Sequence, residues 1–105
     1  MIRDEKHKAF IRSIICLRCG YTQNIQAAHI RKQGGAGIGI KPDDSKTVPL
    51  CHMCHDKQHK GEVSFYGGLD DVEKAHELAQ KLYDISGDVE QGLRLIIRYR
   101  RMIWV

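Results

Sequence analysis

The stretch that decides the fold of this chain is Val48-Pro49-Leu50-Cys51-His52-Met53-Cys54-His55-Asp56-Lys57-Gln58-His59. It contains a Cys-x-x-Cys pair, Cys51 and Cys54, followed by His55 and His59 at a spacing of four residues. Residues four apart lie on one face of a helix, so both imidazoles can point at one cation. Thiolates suit a closed structural zinc site, whereas imidazoles suit a second, more open metal site. A single Cys/His zinc finger with spare histidines is the alternative that this stretch leaves open.

A second Cys-x-x-Cys pair, Cys16 and Cys19, lies nearer the start of the chain, and 31 residues separate the two pairs. Two such pairs supply four thiolates for tetrahedral zinc. Gly20, directly after the second cysteine, allows the tight turn of a zinc knuckle. The first residues lack the apolar stretch of an export signal, which favours metal ligation over disulfides. We therefore predict a structural zinc held by Cys16, Cys19, Cys51 and Cys54.

Charge is distributed unevenly along the 105 residues. Residues 1–60 hold eleven Lys/Arg against five Asp/Glu, a balance of +6, whereas residues 61–105 hold six against eight. The cysteine-bearing part is thus the basic part, which favours a polyanionic partner, nucleic acid first. No run approaches 18 apolar residues, so we expect no membrane span and a cytoplasmic protein. A merely soluble basic surface is the alternative interpretation of the charge.

Apolar spacing predicts a single α+β domain with short strands between helices. The first half of the chain is predicted to contain a helix over 3–14, a strand over 24–30, a glycine-rich loop over 33–45 and a strand over 47–50. A helix carrying His55 and His59 follows. The last two predicted elements are a helix from Leu69 to about Ser86 and a helix capped by Asp88 that runs to about Arg100. In the first helix we expect Ala9, Phe10 and Ile14 to face inward, with Ile11 as a further candidate.

The two C-terminal helices carry their own apolar stripes, and three histidines are expected at the surface. The first stripe comprises Val72, Ala75, Leu78, Ala79 and Leu82, and the second comprises Leu93, Ile96 and Ile97. His52 is expected to face solvent, and His7 and His76 are expected on exposed helix faces. None of the three has a sequence neighbour that suggests chemistry.

His29 is the next candidate for a catalytic side chain, although a lone histidine on a strand is more often structural or exposed. It lies near the end of the first predicted strand, and the basic pair Arg31 and Lys32 follows Ile30. A neutral histidine beside a metal and a phosphodiester can deprotonate water. Asp44, after the glycine-rich loop, is a candidate metal ligand or orienter of an imidazole. A plain turn residue after Pro42 is the alternative role for Asp44.

The order of these motifs resembles that of the HNH (ββα-metal) endonucleases. The residues that carry the resemblance are Cys16-Leu17-Arg18-Cys19-Gly20, Ala27-Ala28-His29-Ile30-Arg31, Lys41-Pro42-x-Asp44 and Pro49-Leu50-Cys51-x-x-Cys54-His55-x-x-x-His59. The chain looks closest to the small phage and prophage nucleases that include the recombination-enhancement group. The resemblance implies a treble-clef-like core over about 14–61, braced by zinc, with a helical extension over 69–101.

Carried over to this sequence, the resemblance implies a role for each motif residue. His29 would be the general base, His55 and His59 would bind a catalytic divalent metal (Mg²⁺, Mn²⁺, Ni²⁺ or Zn²⁺), and the four cysteines would hold structural Zn²⁺. Two positions depart from the family pattern. Ala28 stands where many members carry a His or Asp ligand, and Lys46 and Thr47 stand near the place of the usual Asn. Asp44 could compensate; in a shifted register His29 would itself be the third ligand.

We therefore expect a metal-dependent DNA endonuclease of phage or prophage origin that hydrolyses phosphodiester bonds. Arg31, Lys32 and Lys41 would hold phosphates of the DNA largely without regard to sequence. The alternative is a non-catalytic zinc module that binds nucleic acid or a protein. The two departures from the family pattern favour that alternative, whereas the histidine pair beside a complete cysteine set favours the enzyme.

Overall fold

A computed structural model describes residues 3–30, 43–61 and 72–102 of the chain. Within these residues it has an α+β arrangement of helices around a two-stranded sheet. The elements in chain order are α1 (Glu5–Arg12), β1 (Ile25–His29), β2 (Thr47–Cys51), α2 (His52–His59), α3 (Val72–Asp84) and α4 (Val89–Arg100). Each falls at a place where the apolar pattern predicted that type of element, with ends that differ by a few residues.

Asp4 caps the start of helix α1, because its carboxylate accepts the backbone N–H of His7 at 2.9 Å. Such a cap satisfies one of the N–H groups that a helix start leaves without a partner. Phe10, Ile11 and Ile14 are buried and Ala9 is exposed. The expectation for Ala9 was therefore wrong, and the inward stripe of α1 runs through Ile11 instead.

Strands β1 and β2 form an antiparallel pair in which Ala27 lies opposite Pro49 and His29 lies opposite Thr47. All five residues of β2 are buried. The backbone carbonyl of Pro49 accepts the N–H of Leu17 at 2.8 Å, and so ties the first cysteine loop to β2. The pair therefore forms the centre onto which the cysteine loops and α2 are attached.

Helix α2 begins directly after Cys51, so the sequence passes from strand to helix within the second cysteine pair. Cys54 and Gln58 face the interior, while His52 and Met53 are exposed, as predicted for His52. This orientation leaves His55 and His59 on a different side of the helix from the buried cysteine.

Helices α3 and α4 pack on this centre through apolar faces. Ala75, Leu78, Ala79 and Leu82 of α3 are buried, which confirms the predicted stripe over the described part of that helix. The aspartate cap of α4 is confirmed as well, because Asp88 accepts the N–H of Gln91 at 3.1 Å.

The predicted inward face of α4 was partly wrong. Ile96 is buried, but Leu93 and Ile97 are 36% and 41% exposed. The buried positions are Gly92, Ile96 and Tyr99. A Cβ at Gly92 would lie 2.8 Å from Ile14 and 2.9 Å from Phe10, so the missing side chain is what lets α4 approach α1.

His7 also departs from its expected place at the surface, because it is completely buried. Its Nδ1 lies 2.8 Å from the hydroxyl of Ser86, and its ring meets that of Tyr83 edge-on at 4.8 Å between centroids. Burial lowers the pKa of His7, against the opposing effect of Asp4 and Asp44. The side chain thus joins α1 to the end of α3 as a neutral ring. His76, the other histidine expected at the surface, is half-buried.

None of the helices in the described ranges is both long and apolar enough to cross a membrane.

Candidate metal centre and catalytic residues

The four cysteines come together in space although 31 residues separate the two pairs. Their Sγ atoms all lie within 4.8 Å of one another, and those of Cys19 and Cys51 are 3.6 Å apart. Four thiolates at about 2.3 Å around tetrahedral zinc would be about 3.8 Å from one another. The cysteines therefore form a site that could hold a structural metal, and the donor set is the one that zinc prefers.

The loop of the first cysteine pair has the local geometry of a metal-binding turn. Gly20 has a φ of +79° and donates its N–H to the carbonyl of Cys16 at 3.0 Å. The N–H of Cys16 in turn donates to the carbonyl of Tyr21 at 2.9 Å. Glycine adopts positive φ without steric cost, which explains why a glycine follows Cys19.

The protein environment of the thiols also bears on metal binding. Burial raises the pKa of the Cys54 thiol to about 12, and the neighbouring Cys16 adds to the effect. Arg18 opposes it, with its Nη1 3.9 Å from the sulfur of Cys54. Four crowded thiolates without a cation would repel one another, and a bound divalent cation removes that cost. A cation would therefore be stabilised by this cluster.

The two histidines of α2 face each other on the helix surface. Their Nε2 atoms are 3.1 Å apart and their ring centroids 4.6 Å apart. Two imidazole nitrogens that bind one cation at about 2.0–2.1 Å lie about 2.8–3.4 Å apart in octahedral or tetrahedral geometry. His55 and His59 therefore already have the separation of two ligands of one metal ion.

His29 and Asp44 form a separate pair at the far end of β1. The Nε2 atom of His29 lies 3.1 Å from Oδ1 of Asp44. This distance is that of a hydrogen bond, and the contact is also an ion pair when the imidazole is protonated. The side chain of His29 is 26% exposed, whereas that of Asp44 is 1% exposed. A carboxylate can only accept, so Nε2 carries the proton and Nδ1 of the neutral ring is left as the basic atom.

Asp44 is held in place by several groups at the start of the chain. Its second oxygen accepts the backbone N–H of Asp4 at 2.8 Å, and Arg3 and Lys8 lie 3.8 and 3.9 Å from the carboxylate. Burial alone would raise the pKa of this carboxyl, but the Asp4 amide, His29 and Lys8 outweigh burial and hold the pKa below its usual value. Asp44 is therefore ionised at neutral pH.

The structure does not bring all the sequence-predicted site residues into one cluster. Among the residues in the described ranges, the only group of three or more potential ligands that lie within 4.8 Å of one another is the cysteine group. His29 is thus not placed with His55 and His59 as a third ligand. Ala28, which the HNH resemblance would align with a metal ligand, is completely buried. The predicted phosphate-binding residues Arg31, Lys32 and Lys41 lie outside the described residues.

One polar neighbour of the α2 histidines was missed by the sequence analysis. Gln26 of β1 approaches His55 with its amide oxygen 2.5 Å from Nδ1. A half-buried glutamine on a short strand gives no sequence signal for such a contact, because the partner is 29 residues away and on another element. Only the packing of α2 beside β1 brings the two together.

Comparison with protein families gives one match, and it covers residues 1–86. The matching family is described as "Protein of unknown function (DUF968)". The match spans most of the chain, so this protein belongs to the DUF968 family. No curated protein and no solved structure matches the chain.

Proposed function

We propose that this member of the DUF968 family is a metal-dependent endonuclease that hydrolyses DNA phosphodiester bonds. The observation that carries the proposal is the pair of Nε2 atoms, on His55 and His59, that face each other at 3.1 Å on the helix that follows Cys51. A structural zinc on the four cysteines would fix both the start of that helix and the first cysteine loop. The motif resemblance to the HNH endonucleases supports the same assignment.

The chemistry can be divided between the two polar sites. A divalent cation bound by His55 and His59 would neutralise charge on the phosphate and on the leaving oxygen. His29 is the general base in this proposal: its Nδ1 takes a proton from the attacking water. The water oxygen bonds to phosphorus as the bond from phosphorus to the leaving oxygen breaks. Asp44 accepts the Nε2–H of His29 and stabilises the imidazolium that forms.

The separation of His29 from the other two histidines favours the base over the ligand role. A third ligand would have to lie within a few ångströms of both Nε2 atoms, whereas His29 is instead bonded to Asp44 through its own Nε2. With His55 and His59 as its protein ligands, a bound metal would have positions left for water and phosphate oxygens.

Plasmid nicking in the presence of Mg²⁺, Mn²⁺ or Ni²⁺ tests the proposal. We expect His29→Ala to lower turnover by about 10²–10⁴-fold, the usual contribution of acid–base catalysis, with metal binding nearly intact. His52→Ala is the matched control, because His52 is exposed on the same helix and should cut at the wild-type rate. If His29→Ala nicks plasmid as fast as the wild type at every metal concentration, His29 is not the base. If the wild type nicks plasmid with none of the three metals, the nuclease proposal fails.

A non-catalytic zinc module that binds a macromolecule is the second candidate, and one observation favours it. A surface cavity of about 420 Å³ lies beside the cysteine cluster. Arg18, Tyr21 and Lys57 line it, and no carboxylate is among its lining residues. Cations beside an exposed aromatic ring suit a nucleic-acid strand. DNA binding with no cleavage by any of the three metals would favour this candidate.

A further inference from the structure

Gln26 connects the strand that carries His29 to the helix that carries the metal-site histidines. It lies on β1 opposite Leu50, and its side chain is half-buried. Its Oε1 atom lies 2.5 Å from Nδ1 of His55, a short contact between β1 and α2.

The chemistry of this contact determines which nitrogen of His55 carries the lone pair that a metal would bind. An amide oxygen can accept a hydrogen bond but cannot donate one, so Nδ1 of His55 must carry the proton. The neutral ring then has its lone pair on Nε2, the atom that faces Nε2 of His59 at 3.1 Å. A metal ion binds the unprotonated nitrogen, so Gln26 selects the tautomer that can bind at the shared position.

Gln26 cannot itself be a ligand of the same cation. Its oxygen lies at Nδ1, the other ring nitrogen from the one that faces His59. The oxygen therefore acts on the ion through the imidazole, by fixing the orientation of the ring and making Nε2 a better donor. The methyl group of Ala28 cannot bind a metal, so the site would have two protein ligands instead of three. Pre-orientation of the histidine pair therefore contributes a larger share of the metal affinity than it would in a site with three ligands.

We propose that Gln26 is a positioning residue that holds His55 in the Nδ1–H tautomer and so prepares Nε2 to bind the cation. This inference rests on the proposed function, because it concerns the metal site of His55 and His59. It goes further in assigning a residue that the motif resemblance does not include. Partners of this kind contribute about 10–100-fold to metal affinity in other histidine sites.

The first readout is the tautomer of His55, measured by ¹⁵N NMR of the zinc-loaded protein without added metal at about pH 8. We expect the Nδ1–H form in the wild type and in Gln26→Glu, whose carboxylate also accepts. Gln26→Leu should lose that preference. Gln23→Leu removes an exposed amide that precedes the same strand and should match the wild type. If Gln26 contributed only packing, Gln26→Leu would leave the tautomer of His55 unchanged. Loss of the Nδ1–H form in Gln26→Leu and its presence in Gln26→Glu therefore indicate the hydrogen bond.

The second readout is the affinity of the zinc-loaded protein for Ni²⁺, measured by calorimetry. We expect Gln26→Leu to weaken Ni²⁺ binding about 10–100-fold. Gln26→Glu and Gln23→Leu should bind at least as tightly as the wild type. Unchanged affinity or an unchanged tautomer in Gln26→Leu would overturn the role of Gln26 alone. A wild-type protein that binds no Ni²⁺ at His55 and His59 would overturn the metal site of the proposed function, and this inference with it.

Discussion

Asp44 shows how much of the site depends on a single buried charge. It receives the N–H of Asp4 and the Nε2–H of His29, and it lies close to Lys8. These contacts fix the end of the loop before β2, the start of α1 and the orientation of the candidate base. Because the Asp44 carboxylate has this many partners, we expect it to contribute to the free energy of unfolding as well as to the orientation of His29.

Replacing Asp44 with asparagine should destabilise the fold by about 1–3 kcal/mol at pH 7, because buried hydrogen bonds to a charged group are lost. The pKa of this carboxyl is lowered in the folded protein, so its contribution is present above the ordinary value of 3.8 and is lost as the pH falls through the folded value. The difference between wild type and Asp44→Asn should therefore shrink below about pH 4. Urea unfolding across pH measures this.

Asp56→Asn is the control, because Asp56 is exposed and pairs with Lys60 one turn away. Surface pairs of this kind contribute little, so its unfolding midpoint should match that of the wild type. An Asp44→Asn protein as stable as the wild type at pH 7 would mean that the carboxylate is not the connecting group described here.

At the same scale, the sequence identified candidate site residues more readily than it identified their partners. Asp44 and His29 were both singled out, and the structure puts them 3.1 Å apart. The burial of His7 and the contact of Gln26 with His55 could not be foreseen, since each depends on how distant elements pack. A polar residue with helical or strand spacing looks the same in sequence whether its partner is water or another side chain.

Among the elements, the contact between α4 and the first cysteine loop depends on Gly20. This residue has a φ of +79°, and a Cβ there would lie 2.9 Å from the guanidinium carbon of Arg100. Gly61 has a similar φ of +75° but nothing near its missing Cβ. The two glycines thus separate the cost of backbone strain from the cost of the contact with α4.

Gly61→Ala should therefore destabilise the protein by about 1–2 kcal/mol through backbone strain alone. Gly20→Ala should cost more, because Arg100 must also move. Thermal or urea unfolding of both variants, and of Gly20→Ala combined with Arg100→Ala, measures the difference. In the combined variant the excess over Gly61→Ala should disappear. Equal costs for the two single variants would contradict the contact.

The order and type of the elements followed from the sequence because local patterns specify them. The aspartate cap at Asp88, the glycine turn after Cys19 and the apolar stripe of α3 each depend on residues within a few positions. The face that α4 buries was partly missed. It depends on a glycine, Gly92, whose role is to be small against Phe10 and Ile14 of another helix. The spacing of hydrophobic residues does not indicate that a glycine such as Gly92 faces the interior.

For the whole molecule, the cysteine cluster brings together two cysteine pairs that 31 residues of the chain separate. We expect Cys51→Ser to unfold the domain or to lower its melting temperature sharply, since in a domain of 105 residues metal-binding energy is folding energy. Met53→Ala is the matched control, because Met53 is 68% exposed in the turn between the two cysteines. A Cys51→Ser protein that melts like the wild type with one zinc bound would refute the four-cysteine assignment.

The two paired cysteine motifs predicted this cluster, because their spacing is specific to one kind of site. The sequence left open whether His29 is the general base or a metal ligand beside His55 and His59. Spacing along the chain says which histidines share a helix face but not how far a strand lies from that helix.

The account depends most on the claim that one chain holds two metals in two different kinds of site. Anomalous diffraction from crystals grown with Zn²⁺ and Mn²⁺ tests it directly. We predict a zinc peak about 2.3 Å from the four cysteine sulfurs, and a second cation within about 2.2 Å of the Nε2 atoms of His55 and His59, with His29 bonded only to Asp44. A single peak at the cysteines, or a cation bound to His29, would contradict the account.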